Sequence, residues 1–182
     1  MAVYRDNSVL SLVYLEHART HDPTKQWLTS VARRFRLQDP TATSSETRDA
    51  VVDFTRPDTE SIELPVVAPR VYHQPYRYAY GLHKDHSLTD HSFADGIIKL
   101  DMTDPSATKA WIIPRHTPSE PIFVPRPGGE AEDDGVLLTV AYDEAKGHSA
   151  MVVLDAQRME EIGRAEMPTV WPFGFHGAWT GR

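Results

Sequence analysis

Apolar residues along this chain come in short, β-branched runs rather than in the three-to-four-residue rhythm of an amphipathic helix. The runs occupy positions 9–15, 31–37, 76–80, 96–100, 110–113, 121–124, 136–142 and 151–154. Turn chemistry closes them: Asp39-Pro40, Asp104-Pro105, Pro127-Gly128-Gly129 and Lys146-Gly147. Short strands at fairly even spacing, with turn signals between them, predict an all-β sandwich, barrel or propeller. Fourteen prolines and ten glycines, spread throughout, keep any helix short. Only 12–25 and 159–164 have room for a helical turn or two. The stretch 42–60, rich in Thr, Ser, Asp and Arg, is expected to be a loop excursion between strands.

A weak internal echo sharpens the fold class. Ile97-Ile98-Lys99-Leu100-Asp101 resembles Met151-Val152-Val153-Leu154-Asp155, and each is followed by a turn and a returning apolar segment. A strand ending in Leu-Asp, a turn and a returning strand is how propeller blades commonly recur.

Composition bounds the rest. A length of 182 residues suits one domain with a real core. The net charge of −7 speaks against a nucleic-acid partner, which needs a clustered Lys/Arg surface. The densest basic group, Arg33, Arg34 and Arg36, alternates with Val31, Phe35 and Leu37 and reads as the outward side of a strand. The absence of cysteine removes disulfides, thiolate metal sites and Cys nucleophiles together. Met1-Ala2-Val3-Tyr4-Arg5-Asp6 shows no basic segment leading into an apolar one, and no apolar run has the length to span a bilayer. A soluble, cytoplasmic protein is the expectation.

Candidate chemistry centres on nine histidines. His83-Lys84-Asp85-His86 with Asp90-His91 gathers three imidazoles and two carboxylates, a donor set that suits a transition metal. The segment is polar throughout and reads first as a solvated loop. His17 and His21 would share a helical face but lack a third acidic ligand. His73, His116 and His148 are isolated. Glu132-Asp133-Asp134, before Gly135 and an apolar run, reads as a charged hairpin turn rather than an acid/base pair. There is no Gly-x-Ser-x-Gly elbow, phosphate loop or dinucleotide fingerprint. His176 differs from the others, standing in Pro172-Phe173-Gly174-Phe175-His176-Gly177-Ala178-Trp179. Glycine on both sides permits close backbone approach, and an imidazole among aromatic rings needs partners for its nitrogens. Spacing alone leaves a satisfied core histidine and a metal ligand both open.

A resemblance narrows this choice. The segments Ile62-Glu63-Leu64-Pro65, Pro75-Tyr76-Arg77-Tyr78-Ala79-Tyr80-Gly81, Ser119-Glu120-Pro121-Ile122-Phe123-Val124-Pro125-Arg126-Pro127, Glu132-Asp133-Asp134-Gly135-Val136-Leu137-Leu138, Val153-Leu154-Asp155-Ala156, Gly163-Arg164-Ala165-Glu166 and Pro172-Phe173-Gly174-Phe175-His176-Gly177 follow in order. Together, from about Arg33 to the last residue, they resemble the C-terminal signature of the carotenoid cleavage oxygenases. That family comprises carotenoid-, apocarotenoid- and stilbene-cleaving dioxygenases and the isomerohydrolase of the retinal pigment epithelium.

The resemblance implies a seven-bladed β-propeller carrying a non-haem Fe(II) on its axis, held by four histidines. It places one iron ligand at His176 and carboxylates behind the ligand histidines at Glu120 and Glu63. Glu120 would serve His176, and Glu63 a histidine outside this chain. A ligating imidazole needs its distal nitrogen fixed by an acceptor, and a carboxylate does so while raising its basicity. His21-Asp22 matches a family His-Asp pair only as a dinucleotide, and Tyr4-Arg5-Asp6 resembles the segment just after the third ligand, so the chain is expected to start past it.

The implied reaction splits one C=C bond of a carotenoid, apocarotenoid or stilbene with dioxygen into two carbonyl products. Trp171, Phe173, Phe175 and Trp179 are candidates to line the iron end of the substrate cleft, with core packing the competing role for at least two of them. On its own the chain is expected to be an inactive C-terminal part of such a propeller. The resemblance also leaves room for peripheral membrane contact by the longer protein. The competing expectation is a non-catalytic β-domain that binds a partner or an apolar ligand. The metal reading requires the His176 ring to lie against Glu120 rather than in open solvent.

Overall fold

The computed structural model describes residues 2–3, 30–37, 49–85, 87–88, 93–172, 174 and 176–180. The run 9–15, the helical candidate 12–25, residues 42–48, and His17, His21, His86, Asp90, His91, Phe173 and Phe175 lie outside them. The described elements are strands with three short 3-10 turns, at Asp58–Glu60, Pro69–Val71 and Pro105–Ala107.

Three antiparallel sheets follow one another along the chain. The first joins β1 (Ala2–Val3), β2 (Val31–Arg36) and β3 (Val51–Thr55). The second is a four-stranded meander of β4 (Glu63–Val66), β5 (Tyr78–His83), β6 (Gly96–Asp101) and β7 (Lys109–Ile112). In the third, β8 (His116–Pro118) and β9 (Ile122–Pro125) both pair with β10 (Gly135–Asp143), which continues to β11 (His148–Asp155) and β12 (Glu160–Glu166). A meander whose last strand feeds the first strand of the next sheet is the blade arrangement of a β-propeller. Among the described residues the ring of blades is not closed.

The period-2 pattern of β10 shows why this sequence makes strands. Gly135, Leu137, Thr139, Ala141 and Asp143 are buried, while Val136, Leu138, Val140 and Tyr142 are half-buried on the other face. Its inward face meets Val152 and Leu154 of β11, and the same core takes in Tyr80, Leu82, Ile97 and Trp111 of the second sheet. Burying each of the large aliphatic side chains contributes about 1.5–3 kcal/mol. The Tyr80 and Phe123 rings tilt at 37° with centroids 5.6 Å apart, and the buried Tyr80 hydroxyl donates to the Ala156 carbonyl at 3.3 Å. A smaller cluster of Ala32, Ile62, Ile98 and Leu100 joins the first sheet to the second.

The internal echo is a true structural repeat. β6 and β11 are each the third strand of a four-strand path, and each ends in an aspartate that turns the chain. Asp101 Oδ1 accepts the amides of Thr103 and Asp104, both at 3.0 Å. Asp155 Oδ1 accepts those of Gln157 and Arg158, at 3.0 and 2.8 Å. Short acidic side chains that cap the following amides are a standard way to close such a turn.

Four expectations are corrected. Within 42–60, residues 51–55 form strand β3 instead of loop. Asp53 pairs there with Arg34 at 2.9 Å and with Arg36 at 2.6 Å across the ladder, and Val51, Val52 and Phe54 have strand-forming side chains. Positions 159–164 belong to the β11–β12 turn and strand β12 rather than a helix, because pairing with β11 captures them. The alternation of β2 is incomplete, since Phe35 is 36% exposed alongside its arginine neighbours. The 83–91 segment does not begin as a solvated loop. His83 ends β5 and is buried with Nδ1 3.0 Å from the Ser61 carbonyl, and Lys84 is buried with its Nζ 2.9 Å from Asp95.

The acidic turn at 132–134 is structural, as its hairpin position implies. Glu132 accepts the amides of Arg77 and Tyr78, at 2.9 and 2.7 Å, and Asp133 pairs with the buried Lys99 at 2.6 Å. Both contacts tie the second sheet to the third.

Candidate metal site

Strands β8 and β9 would be one strand but for residues 119–121. Pro118 lies opposite Ala141 and Ile122 opposite Leu138, so three residues (119–121) face two (139 and 140). One extra residue makes a β-bulge, which bends a strand and re-aims a side chain. Pro121 explains the position, because it offers no amide to the ladder and holds the preceding residue extended. The break is locked on its other side: the Ser119 amide donates to Val140 at 2.8 Å, and the Thr139 hydroxyl donates to the Ser119 carbonyl at 2.7 Å. Glu120 is thereby thrown out of the ladder as a held side chain, only 10% exposed.

The first strand of the preceding blade carries the same device. Glu63 lies opposite Leu82 and Val66 opposite Tyr80, so Leu64 and Pro65 face Gly81 alone. Leu64 takes the left-handed φ of 46°. A side chain at Gly81 would begin 2.5 Å from Ile62 Cγ1 and 2.6 Å from the Glu63 carbonyl, so only glycine lets β4 come this close. Two consecutive blades thus each hold a glutamate at a proline-marked bulge of the first strand. Oε1 of Glu63 is buried without a hydrogen-bond partner among the described residues. Leaving such an acceptor unpaired costs about 1–3 kcal/mol, and it is what an imidazole N–H arriving from outside these residues would relieve.

His176 meets Glu120 as the resemblance implies. Its Nδ1 lies 3.3 Å from Glu120 Oε1, and the Gly177 amide donates to Oε2 at 3.0 Å. The carboxylate therefore grips both the ring and the backbone beside it. A carboxylate acceptor places the ring proton on Nδ1 and leaves the Nε2 lone pair free to bind a metal. Nε2 has no hydrogen-bond partner among the described residues, and the imidazole is 78% exposed. The ring thus lies against Glu120 but is turned outward to solvent, so one of the two conditions of the metal reading is met and the other is not.

A cleft of about 210 Å³ opens beside the ring, walled by Glu120, Leu138, Val140, Met151, Trp171 and His176. A neighbouring one of about 410 Å³ is bounded by Val66, Tyr72, Ile122, Pro125 and Trp179. Both are mostly apolar. Trp171 and Trp179 are more than half exposed, so they line clefts and do not fill the core.

Among the other described histidines, His83, His116 and His148 take structural partners. His116 contacts the Pro114 carbonyl, Arg164 and Asp143, and His148 lies 3.0 Å from Glu166. His73 stands at a left-handed φ of 63° in a turn. No group of three or more His, Cys, Asp or Glu among the described residues is placed to hold a metal ion. One braced imidazole and one orphaned carboxylate fit two parts of a polyhistidine centre, whose remaining donors would have to come from outside the described residues. Ser119 and Ser149, which hold the His176 segment, carry no signal of that role in the sequence, since an isolated serine belongs to no motif that marks it as an acceptor.

Comparison with known proteins identifies the family and the fold. The family model described as retinal pigment epithelial membrane protein (RPE65) matches residues 1–181. A carotenoid dioxygenase of Neurospora crassa is 43% identical over 126 residues, covering 69% of this chain and 20% of that protein. An apocarotenoid-15,15'-oxygenase of Synechocystis is 35% identical over 160 residues, covering 87% of this chain and 30% of that protein. The crystal structure of a cobalt-substituted Synechocystis apocarotenoid oxygenase superposes with a TM-score of 0.62 at 35% identity, over 68% of this chain and 26% of that one. The chain thus spans about a fifth to a third of the length of the relatives it matches. With a family match over nearly its whole length and propeller strands in the same arrangement, this chain belongs to the retinal pigment epithelial membrane protein family, the carotenoid cleavage oxygenases.

Proposed function

We propose that these residues form the C-terminal part of a non-haem Fe(II) dioxygenase that splits one C=C bond of a carotenoid or apocarotenoid into two carbonyl products. The observation that carries the reading is the Glu120–His176 contact, which leaves Nε2 as the free ring nitrogen. In this role His176 is one iron ligand and Glu120 sets its tautomer. In the same reading Glu63 would serve a histidine outside this chain, and the other ligands would come from the longer protein; the unpartnered Oε1 of Glu63 supports this. The cobalt-substituted form of the Synechocystis relative supports a metal centre in the family. Ferrous iron held there would supply the activation of dioxygen toward an alkene, each carbonyl product taking one of the two oxygen atoms. The mostly apolar cleft beside His176 offers walls suited to a polyene.

The test is a chimera in which this chain replaces the matching segment of the Synechocystis oxygenase. Iron content near one per protein and cleavage of an apocarotenoid are expected, and His176→Ala should abolish both. Unchanged iron content in the His176→Ala chimera would overturn the assignment. A second reading, a non-catalytic β-domain that binds an apolar ligand, draws on the lack of a complete donor set among the described residues and on the exposed Trp171 and Trp179. Stoichiometric iron binding in the chimera decides against it.

A further inference from the structure

The described residues from Trp171 to Gly177 make no strand pairing. Their amides are instead held at every third residue by a side-chain oxygen of the sheet beneath. Trp171 donates to Ser149 Oγ at 3.0 Å, Gly174 to Ser119 Oγ at 3.4 Å and Gly177 to Glu120 Oε2 at 3.0 Å. We infer that Ser149 and Ser119 are positioning residues for His176, two points of a three-point rail whose third is Glu120. The functional meaning rests on His176 being a metal ligand; the rail itself does not.

The anchors are rigid, which is what a positioning role needs. Ser149 is fully buried in β11, where its amide donates to Thr169 at 3.3 Å and its carbonyl accepts from Met167 at 2.9 Å. One residue therefore grips the chain at 167, 169 and 171 as it leaves β12. Ser119 is 8% exposed and is fixed through both its amide and its carbonyl at the β8–β9 bulge. Amides that meet one sheet at every third residue follow a threefold repeat like that of polyproline II rather than the alternation of a strand. A slip of one residue along the rail would therefore rotate the His176 ring by roughly a third of a turn, away from Glu120. At the far end Gly177 makes the closest approach, since a Cβ there would start 2.6 Å from Ile122 Cδ1. Register at 171 and 174 thus fixes the ring at 176, although Ser149 lies far from it in sequence.

Nitrogen-15 spectroscopy of the full chain, with labelled histidine, tests this without metal or turnover. The unaltered chain should show the His176 ring proton on Nδ1. Ser149→Ala keeps the packing and removes one acceptor, so exchange of the Trp171 amide should rise about tenfold, the factor set by a hydrogen bond of ordinary net strength. The rail requires more: exchange at Gly177 must rise as well, and the His176 proton must shift toward Nε2. Ser119→Ala should do the same, and Ser119→Thr, which keeps the hydroxyl, should restore the unaltered pattern. If Ser149→Ala fails to fold, Ser119→Ala and Ser119→Thr decide alone. Changes confined to the amide that lost its acceptor, with His176 ring signals unmoved, would overturn the inference. Because no metal enters the measurement, an intact rail alongside unchanged iron content in the His176→Ala chimera would sink the metal assignment and leave the rail standing.

Discussion

Oε1 of Glu120 lies 3.3 Å from Nδ1 of His176 although 56 residues separate the two along the chain. Nothing local brings them together. The bulge after β8 aims the carboxylate, and the segment beyond β12 folds back across the same sheet to deliver the ring. The carboxylate also takes the Gly177 amide, so loosening it frees the backbone and the imidazole at once.

Glu120→Gln keeps the shape but loses the charge and one of the acceptor oxygens. In the chimera, iron affinity should fall about 10–100-fold, the usual cost of losing a carboxylate behind a ligand histidine. Equilibrium titration with ferrous iron under anaerobic conditions reads the change. Unaltered affinity would mean that Glu120 is a cap for the Gly177 amide and nothing more.

Gly177→Ala probes the contact from the other side. The new methyl meets Ile122 Cδ1 at 2.6 Å, a flexible side-chain end, so the segment or the isoleucine must shift. Overpacking of this kind costs about 1–3 kcal/mol. Iron binding in the chimera should weaken, and Ile122→Val in the same protein should recover part of it. Recovery distinguishes a steric cause from a loss of backbone freedom, which the second substitution would not repair.

Much of this fold was readable from the chain because strands announce themselves locally. Eight β-branched runs with Pro, Gly and Asp punctuation predicted an all-β protein, and the Leu-Asp echo marked two equivalent blade strands whose aspartates close equivalent turns. The misses have a common physical cause. Positions 51–55 sit inside a stretch rich in Thr, Ser, Asp and Arg that reads as loop, and 159–164 have room for a helical turn as well as for the returning strand of the echo. Neighbours decide both, through Arg34–Asp53 and Arg36–Asp53 in one case and the β11 ladder in the other. Lys84 looked solvated because its burial depends on Asp95, eleven residues on and unmarked by any motif. At the site, the aromatic and glycine setting marks His176 but leaves core histidine and metal ligand both open, and Glu120 is marked only through family resemblance. Ser119 and Ser149 were not legible at all, since their role is to accept amides from a segment that the sequence places far away.

The chain alone should bind ferrous iron poorly. One imidazole and its brace cannot replace a polyhistidine shell, because each missing ligand removes binding energy that the others do not make up. Titration of the purified chain should show no stoichiometric step, whereas the chimera should. The chain should also unfold in a broad, low transition, since the described blades leave strand edges unpaired and Val51 and Val52 of β3 about half exposed. A sharp, cooperative transition of the monomer would contradict that expectation.

Acid should weaken the fold through Asp101. Burial alone would push its carboxyl up, but the Arg77 guanidinium and the amides of Asp104 and Thr103 outweigh burial and hold it well below the usual carboxylate range. Asp143 is likewise held low: burial pushes it up, but the Lys146 amide and the neighbouring His116 prevail. A carboxyl whose folded value lies below its unfolded one binds fewer protons when folded. Its contribution is therefore present at neutral pH and fades as pH falls from about 4 through the folded value. Denaturation midpoints should hold steady from neutral pH down to about 5 and then drop steeply. Asp101→Asn should lower the midpoint at neutral pH, because it leaves Arg77 without its charged partner and weakens the turn. The same variant should flatten the acid slope, because one of the low-lying groups no longer titrates. An acid slope identical to that of the unaltered chain would show that Asp101 keeps the same affinity for protons in both states, and the turn it closes would then owe nothing to its charge.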